Sequence, residues 1–396
     1  MTYREDFTLP GELMERVSQE GLEILPELIQ VIINAAMQAE RQQHLKAGPY
    51  QHTEERTGHA NGYKPKTVHT RMGDITFAIP QVREGGFYPE ALEKGLRSER
   101  ALLLALAEMY VQGVSTRKVK AVTEKLCGVA LSSTQVSHAA GMLDAELEQW
   151  RNRPLGEYSY LFMDAYYEQV REDGQVRDLA VLSAVGVNPD GKREILGVSV
   201  SLSEHEEHWR TFLESLKGRG LRGVQLITSD HHAGLRAARL AVFGGVPWQR
   251  CQFHLQRNAQ AYVPHKNMQA EVAKDIRTIF NAPDRMTAND YLAKTVEKYQ
   301  KTAYRLADWM ATNIPEGLTV FSFPPAHRGL LRTTNNLERV HREVRRRARV
   351  VSIFPNPASC LRLVSAVLNE ISDEWLAGKR YVLFQCAGLS WSKGSN

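Results

Sequence analysis

Three acidic residues stand out by where they fall. Asp164 follows the apolar run YLFM, Asp230 follows VQLITS, and Glu338 lies inside RTTNNLERVHREVRRRARVV, Arg332 to Val351. A carboxylate at the end of a buried strand is costly unless it is paired or metal-bound. Three hard oxygen ligands of this kind match what Mg²⁺ uses, with waters and phosphates completing its shell. Two such ions can activate an attacking oxygen and stabilise the leaving oxygen of an in-line phosphoryl transfer. Asp164, Asp230 and Glu338 are therefore the candidate catalytic residues and ligands for two Mg²⁺ ions, with Mn²⁺ as a substitute. The structural reading stays open beside this one. Strand-end aspartates occur in many α/β proteins, and Glu338, in the first turn of its helix, also complements the helix dipole. Glu343 needs no chemistry, because Arg339 and Arg347 stand four residues to either side of it.

The remaining chemical residue types point elsewhere or nowhere. Cys251 and His254 form a C-x-x-H pair, half of a zinc site, but no second pair follows at suitable spacing. No zinc is expected, and a core cysteine beside a hydrogen-bonding histidine is the plainer reading. His52, His59 and His69 have no metal-ligand spacing with the cysteines. The four cysteines, Cys127, Cys251, Cys360 and Cys386, show no disulfide framework and fit a reduced cytoplasmic compartment. From Glu338 to Arg349 six arginines face two glutamates, a local +4 in a chain whose formal net charge is only +5. Such a cluster is either a solvated face or a phosphate-binding footprint.

The elements that must position these residues are legible from the patterning. Residues 11–47 read as helix with a break at Pro26, for packing or for dimerisation. Residues 51–97 read as a hairpin turning at Gly73-Asp74, preceded by the loop RTGHANGYKPK. Its Tyr63, Lys64 and Lys66 suit contacts to phosphates and bases. Residues 98–152 read as three helices in helix-turn-helix-like order. Arg117, Lys118, Ser133, Thr134 and Gln135 are candidate DNA contacts, the last three in an exposed first turn. After Trp150 come three strand-like runs, then helix, strand (VQLITSD), helix and strand (PWQRCQFH), a β-β-β-α-β-α-β order. Ribonuclease-H-like nuclease cores have this order, and in it the strands of Asp164 and Asp230 lie side by side. Residues 260–331 read as an all-α insertion in which Trp309 is a core residue or a base-stacking one. Residues 332–396 return to the core with the Glu338 helix and a last long helix.

The fold expected is thus α/β and multidomain. A ribonuclease-H-like core with a mixed sheet occupies 153–259 and 332–396. It is interrupted by the insertion at 260–331 and preceded by a helical region at 1–50, a hairpin region and a helix-turn-helix region. The length of 396 residues fits two to four domains. With 43% hydrophobic and 24% charged residues the composition is that of a soluble globular protein, and LIQVIINAAM is too short to span a membrane.

In ordered combination these motifs resemble the Mutator-type transposases of bacterial insertion sequences. RTGHANGY, YVQGVSTRKV and LSSTQVS match its N-terminal segments. LFMDAYYEQV holds the first acid, and SDHHAGL the second, with His232 and Gly234. WQRCQFHLQRN carries Arg250, Cys251, His254, Arg257 and Asn258, and TTNNLERVHREVRRRARVVSIFPN the third acid. His341 stands where the family pattern has asparagine. The resemblance implies an Asp-Asp-Glu recombinase that binds terminal inverted-repeat DNA and target DNA, as a homodimer or higher homo-oligomer in the cytoplasm, on the nucleoid. It implies Mg²⁺-dependent strand cleavage and strand transfer, through copy-out and a circular intermediate. Arg339, Arg342, Arg345, Arg346 and Arg347 then become candidate clamps on DNA phosphates. A non-catalytic or domesticated element-end repressor is the competing reading, and a nuclease without end specificity a third.

Overall fold

A computed structural model of the chain describes residues 11–49, 51, 53–83, 86–94, 98–127 and 132–384. The chain divides into two compact units, Met1–Met142 and Leu143–Asn396.

The first unit opens with α1 (Gly11–Glu20), a 3₁₀ turn and α2 (Leu25–Leu45). The break falls at Gly21, whose φ of +62° suits glycine, and not at Pro26. Pro26 lies in the first turn of α2, where its missing N–H has no helical partner to lose. β1 (Ala60–Thr70) and β2 (Gly73–Val82) form the expected antiparallel hairpin, with Thr70 opposite Gly73. The turn is therefore Arg71-Met72, just before the glycine. Most of the presumed loop RTGHANGYKPK is strand, since β1 begins at Ala60. Met37 of α2 packs on Val68, Ile75, Phe77 and Ile79 of the hairpin. A separate cluster of Leu102, Leu106, Val119, Val136 and Ala139 joins α3 (Arg100–Val111), α4 (Thr116–Cys127) and α5 (Ser133–Gly141). Residues 128–131 between α4 and α5 lie outside the described residues, as do His52 and Cys386, whereas the short turn expected between the first two helices is present at 112–115, with Gly113 at a φ of +80°. The third expected helix is two: α5 ends at Gly141 and α6 (Asp144–Asn152) restarts within the second unit. Glycine at that position favours the stop.

The second unit is built on one five-stranded mixed sheet, in the order β5-β4-β3-β6-β7. β3 (Tyr160–Glu172), β4 (Gln175–Val187) and β5 (Arg193–Ser201) are antiparallel; β6 (Leu226–Ser229) and β7 (Trp248–Arg250) join parallel to β3. Asp173 and Gly174, both at positive φ, make the tight β3–β4 turn that the sequence signals. Period-two alternation sorts β3 between two faces. Leu161 and Met163 join Trp209, Leu213 and Leu216 of α7 (Glu206–Gly218) and Leu235 and Ala238 of α8 (Ala233–Phe243). Phe162 instead meets the ring of Tyr381, and Asp164 faces His341.

The expected last strand is shorter than PWQRCQFH. Cys251 caps α9 (Gln252–Ala259), so the chemistry-bearing half of that motif is helical. The helical region holds α10 (Gln269–Phe280), α11 (Arg285–Gln300), α12 (Tyr304–Asn313) and α13 (Pro325–Leu331). Trp309 is buried there and stacks on Tyr262. α14 (Asn335–Ala348) carries Glu338, and α15 (Pro357–Ala377) closes the unit with Leu363, Val364, Val367 and Leu368 buried.

Gly234 fixes how α8 enters behind Asp230. A Cβ there would lie 2.2 Å from the Glu204 carbonyl oxygen and 2.8 Å from the Glu206 nitrogen. Gly234→Ala should therefore overpack this turn by about 1–3 kcal/mol and lower the calorimetric melting temperature by several degrees. An unchanged melting temperature would show that α8 shifts without cost.

Candidate active site

The site starts from strand register. Met163 pairs with Ser229 as the last parallel pair of β3 and β6. Asp164 is the next residue of β3 and Asp230 the first residue after β6, so they emerge side by side. Glu338 arrives from the first turn of α14. All three line one open cleft of about 930 Å³, together with Tyr166, Phe253, His254, Arg257 and the outer face of α14. Their side chains are 14%, 33% and 30% exposed in chain order, so Asp164 is the deepest.

Depth decides its electrostatics. Burial pushes Asp164 up to about 7, and the neighbouring charges of Asp230 and Glu338 push the same way, while His254 opposes them. His254 occupies the space between the other two acids. Its Nε2 lies 3.2 Å from Glu338 Oε1 and its Nδ1 3.8 Å from Asp230 Oδ2. Burial alone would lower its pKa, but Cys251, Asp230 and Asp164 raise it to about 9, which makes it an imidazolium at neutral pH. Cys251 is held in turn. Burial raises its pKa, but His254 and Thr334 outweigh that and the thiol ends lowered. The Thr334 backbone N–H donates to Cys251 Sγ at 3.4 Å, and its hydroxyl donates at 3.5 Å. Thr334 is the N-cap of α14 but spends its hydroxyl on the sulfur and not on the helix. The C-x-x-H pair thus ties the start of the Glu338 helix to the cleft floor.

His341, one turn beyond Glu338, supports Asp164 from behind. Its Nδ1 stands 3.5 Å from Asp164 Oδ2, and its Nε2 is 2.8 Å from Ser183 Oγ. Ser183 lies directly opposite Asp164 across β3 and β4. The His341 ring rests on Tyr166 at 4.4 Å, and Arg345 covers that tyrosine at 5.0 Å. Burial, and then Arg345, hold His341 down at about 3, so it is neutral. Ser183 and Tyr166 are site residues that the sequence reading passed over. The signal for Ser183 was present, as a lone hydroxyl inside the buried run LAVLSAVGV.

The arginines divide. Arg339, Arg342, Arg345, Arg346 and Arg349 line the cleft and are exposed, as is Arg257. Arg346 also pairs with Glu343 at 2.7 Å. Arg347 faces the other way: buried, with Nη1 2.5 Å from Glu370 and Nε 2.9 Å from Glu343. It is bound to carboxylates that anchor α14 to α15. Those arginines pull Glu343 down to about 2. The pairing expected between Glu343 and Arg339 is replaced by Arg346 and Arg347.

The other candidates of this unit lie off the cleft. His232 caps α8 and stands 3.8 Å from Glu204; Asn258 sits in α9, half-buried. In the first unit the Tyr63 hydroxyl accepts from Arg41 at 2.9 Å, with the guanidinium over its ring. Lys66 donates to the Tyr88 hydroxyl and the Glu93 carbonyl. Lys64 is exposed on β1, and Arg117 and Lys118 are exposed on α4. Ser133 and Thr134 open α5, while Gln135 completes a capping box with Ser132. Among the described residues no three His, Cys, Asp or Glu side chains stand as a ready cluster for one metal ion, and no helix is long and apolar enough to cross a membrane.

Comparison with known sequences agrees with these motifs. The model of the Mutator family of transposases matches residues 7–378. The transposase for insertion sequence element IS406 of Burkholderia multivorans is 56% identical over 92% of this chain and 95% of its own. That for ISRM5 of Rhizobium meliloti is 44% identical over 90% of each chain. That for IS256 in transposon Tn4001 of Staphylococcus aureus is 36% identical over 96% of this chain and 98% of its own.

Two substitutions separate support from cleft. Arg347→Ala should cost about 1–3 kcal/mol, since it strips the buried anchor from two part-exposed carboxylates, whereas Arg342→Ala should stay within about 0.5 kcal/mol. Thermal denaturation of both variants measures this; equal stabilities would contradict the assignment. His341→Ala should likewise cost about 1–3 kcal/mol by removing the side-chain partner of Ser183, whose hydroxyl keeps only the Asp164 carbonyl at 3.2 Å. Ser183→Ala should cost less in that background than in wild type, since only its bond to the Asp164 carbonyl is left to lose, and additive losses would deny the pairing.

Proposed function

We propose the following for this chain, which belongs to the Mutator family of transposases: it cuts and joins DNA at the ends of an insertion sequence. The single observation that carries the reading is the convergence of Asp164, Asp230 and Glu338 in one cleft walled by exposed arginines. The sheet order, three antiparallel strands followed by two parallel ones, supports a ribonuclease-H-like core for that chemistry. The α3–α5 cluster supports a helix-turn-helix-like element for reading the ends. Terminal inverted repeats and target DNA are then the partners, a homodimer or higher homo-oligomer the acting form, and copy-out through a circle the route.

The donor chemistry suits a hard divalent cation, although His254 stands between Asp230 and Glu338 and the three carboxylates do not close on one ion as they stand. Three carboxylates share the cleft, and the deepest is held up to about 7 by burial and by its two acidic neighbours. Asp164, Asp230 and Glu338 would hold Mg²⁺, or Mn²⁺ in its place, and its charge would offset their repulsion. When bound, two such ions activate the attacking oxygen and stabilise the leaving one. The chain does the rest. Arg342, Arg345 and Arg346 present guanidinium groups to backbone phosphates and fix the register of the duplex over the acids. His254, as an imidazolium between Asp230 and Glu338, offsets their repulsion before any cation arrives. His341 and Ser183 keep Asp164 aimed into the cleft. Water first attacks the phosphodiester at the element end, breaking its bond to the 3′-oxygen and leaving a 3′-hydroxyl and a 5′-phosphate; that hydroxyl then attacks a second phosphodiester in line and displaces its 3′-oxygen as a new hydroxyl.

A labelled duplex carrying the element's end, incubated with Mg²⁺ or EDTA, tests this directly. Wild type should nick at the repeat boundary only with metal. Asp164→Asn and Glu338→Gln should lose nicking by at least about a thousandfold, the scale seen when a catalytic group is removed, while binding the end within a few fold. Tight end binding with no cutting by wild type would favour the repressor instead. Arg342→Ala should reduce the slope of log affinity against log salt by about 1. An unchanged slope would place that arginine off the DNA.

A further inference from the structure

One wall of the cleft carries a group that phosphate chemistry does not use. Phe253 lies in the first turn of α9 with 45% of its surface exposed. It is the only phenylalanine among the exposed large hydrophobic side chains of the described residues. The neighbours Gln252, His254, Leu255 and Ala259 are buried, while Phe253 and Arg257, four residues apart, both line the cleft. The Phe253 ring stands 5.6 Å from the His254 ring, and His254 meets Glu338. A flat apolar face is therefore held within one side chain of an acidic residue of the site.

Scattered exposed apolar residues are ordinary on a protein surface. This one is in a concavity otherwise lined by carboxylates and guanidinium groups. The cleft's other aromatic, Tyr166, is buried beneath Arg345. Trp309, which the sequence offers for base stacking, is already stacked on Tyr262. The ligand that matches the cleft has an anionic backbone for the arginines and one free flat face for Phe253. A base within a duplex has both faces covered by its neighbours, so the matching group is a nucleotide whose base has left the stack. We propose that Phe253 is the stacking platform for a single unpaired nucleobase beside the phosphodiester that is cut, with Arg257 on the adjoining phosphate. The proposal rests on the transposase reading above and adds a subsite to it.

The experiment compares wild type, Phe253→Ala and Phe253→Trp on Mg²⁺-dependent nicking of the end duplex, fully paired or with one abasic nucleotide at the boundary. Phe253→Ala should nick the paired end about tenfold more slowly with an unchanged salt slope, and Phe253→Trp should keep close to the wild-type rate. On the abasic end the gap between wild type and Phe253→Ala should close, because there is no base left to stack. Equal rates for wild type and Phe253→Ala on paired DNA would overturn the proposal. So would a deficit that persists on every abasic end, or one that disappears on raising the protein concentration, which would make Phe253 a contact between copies of the chain. Failure of wild type itself to bind or nick any end would refute the transposase reading, and this subsite with it.

Discussion

Three carboxylates in one cleft repel one another, and the deepest is cut off from water as well. Every other feature around the site answers that constraint. Asp164 cannot relax outward, because it is a strand residue hydrogen-bonded within a sheet and backed by a buried histidine. The charge is offset locally by His254, which burial would neutralise if Cys251 and two acids did not hold its proton. Removing a buried charge's partner generally costs more than the pair contributes, so these groups stand or fall together.

α14 joins the two halves of the answer. Its inner face carries Leu337, Val340, His341 and Val344 into the core. Its outer face presents arginines to the cleft, and Arg347 locks its far end to α15 through Glu370. The near end is fixed by the unusual use of Thr334, whose hydroxyl goes to the Cys251 sulfur. One helix thereby sets the position of an acid, the support behind a second acid, and the cationic wall. The same inner stripe that buries the helix makes Glu338 and His341, three residues apart, neighbours on one side of it.

The sequence announces this arrangement unevenly. Residues at the ends of strong apolar runs, such as Asp164 and Asp230, are legible because a strand's hydrophobicity marks where it is buried and where burial stops. The Glu338 helix is legible from the spacing of Leu337, Val340 and Val344, an apolar stripe at helical period. What is not legible depends on facing partners far along the chain. Arg347 reads like its neighbours by composition, and only the approach of Glu370 makes it a buried anchor. His341 reads as a departure from the family pattern; its role depends on Ser183, 158 residues away. The strand expected through CQFH fails for a local reason: β7 needs just three residues to pair with β6, after which Cys251 starts a helix. Tyr63 and Lys66 look like free contacts until α2 and the segment after β2 supply Arg41 and Tyr88.

The location of the cleft follows from unequal strand lengths. β6 ends at Ser229, whereas β3 runs on to Glu172 with β4 still paired along its other edge. From Asp164 β3 therefore loses its strand neighbour on the β6 side, until Phe354 bridges Val170, and the sheet has a notch between. Ligands commonly bind outside the carboxyl ends of such parallel strands, where chain connections diverge. Here α9 and α14 border the notch and do not fill it, so it stays open as a cleft. An enclosed pocket would admit a small molecule, but a long polymer needs a site open along its length. The short β6 thus does two things at once: it delivers Asp230 beside Asp164, and it leaves the stretch of β3 before the Phe354 bridge bordering an open cleft.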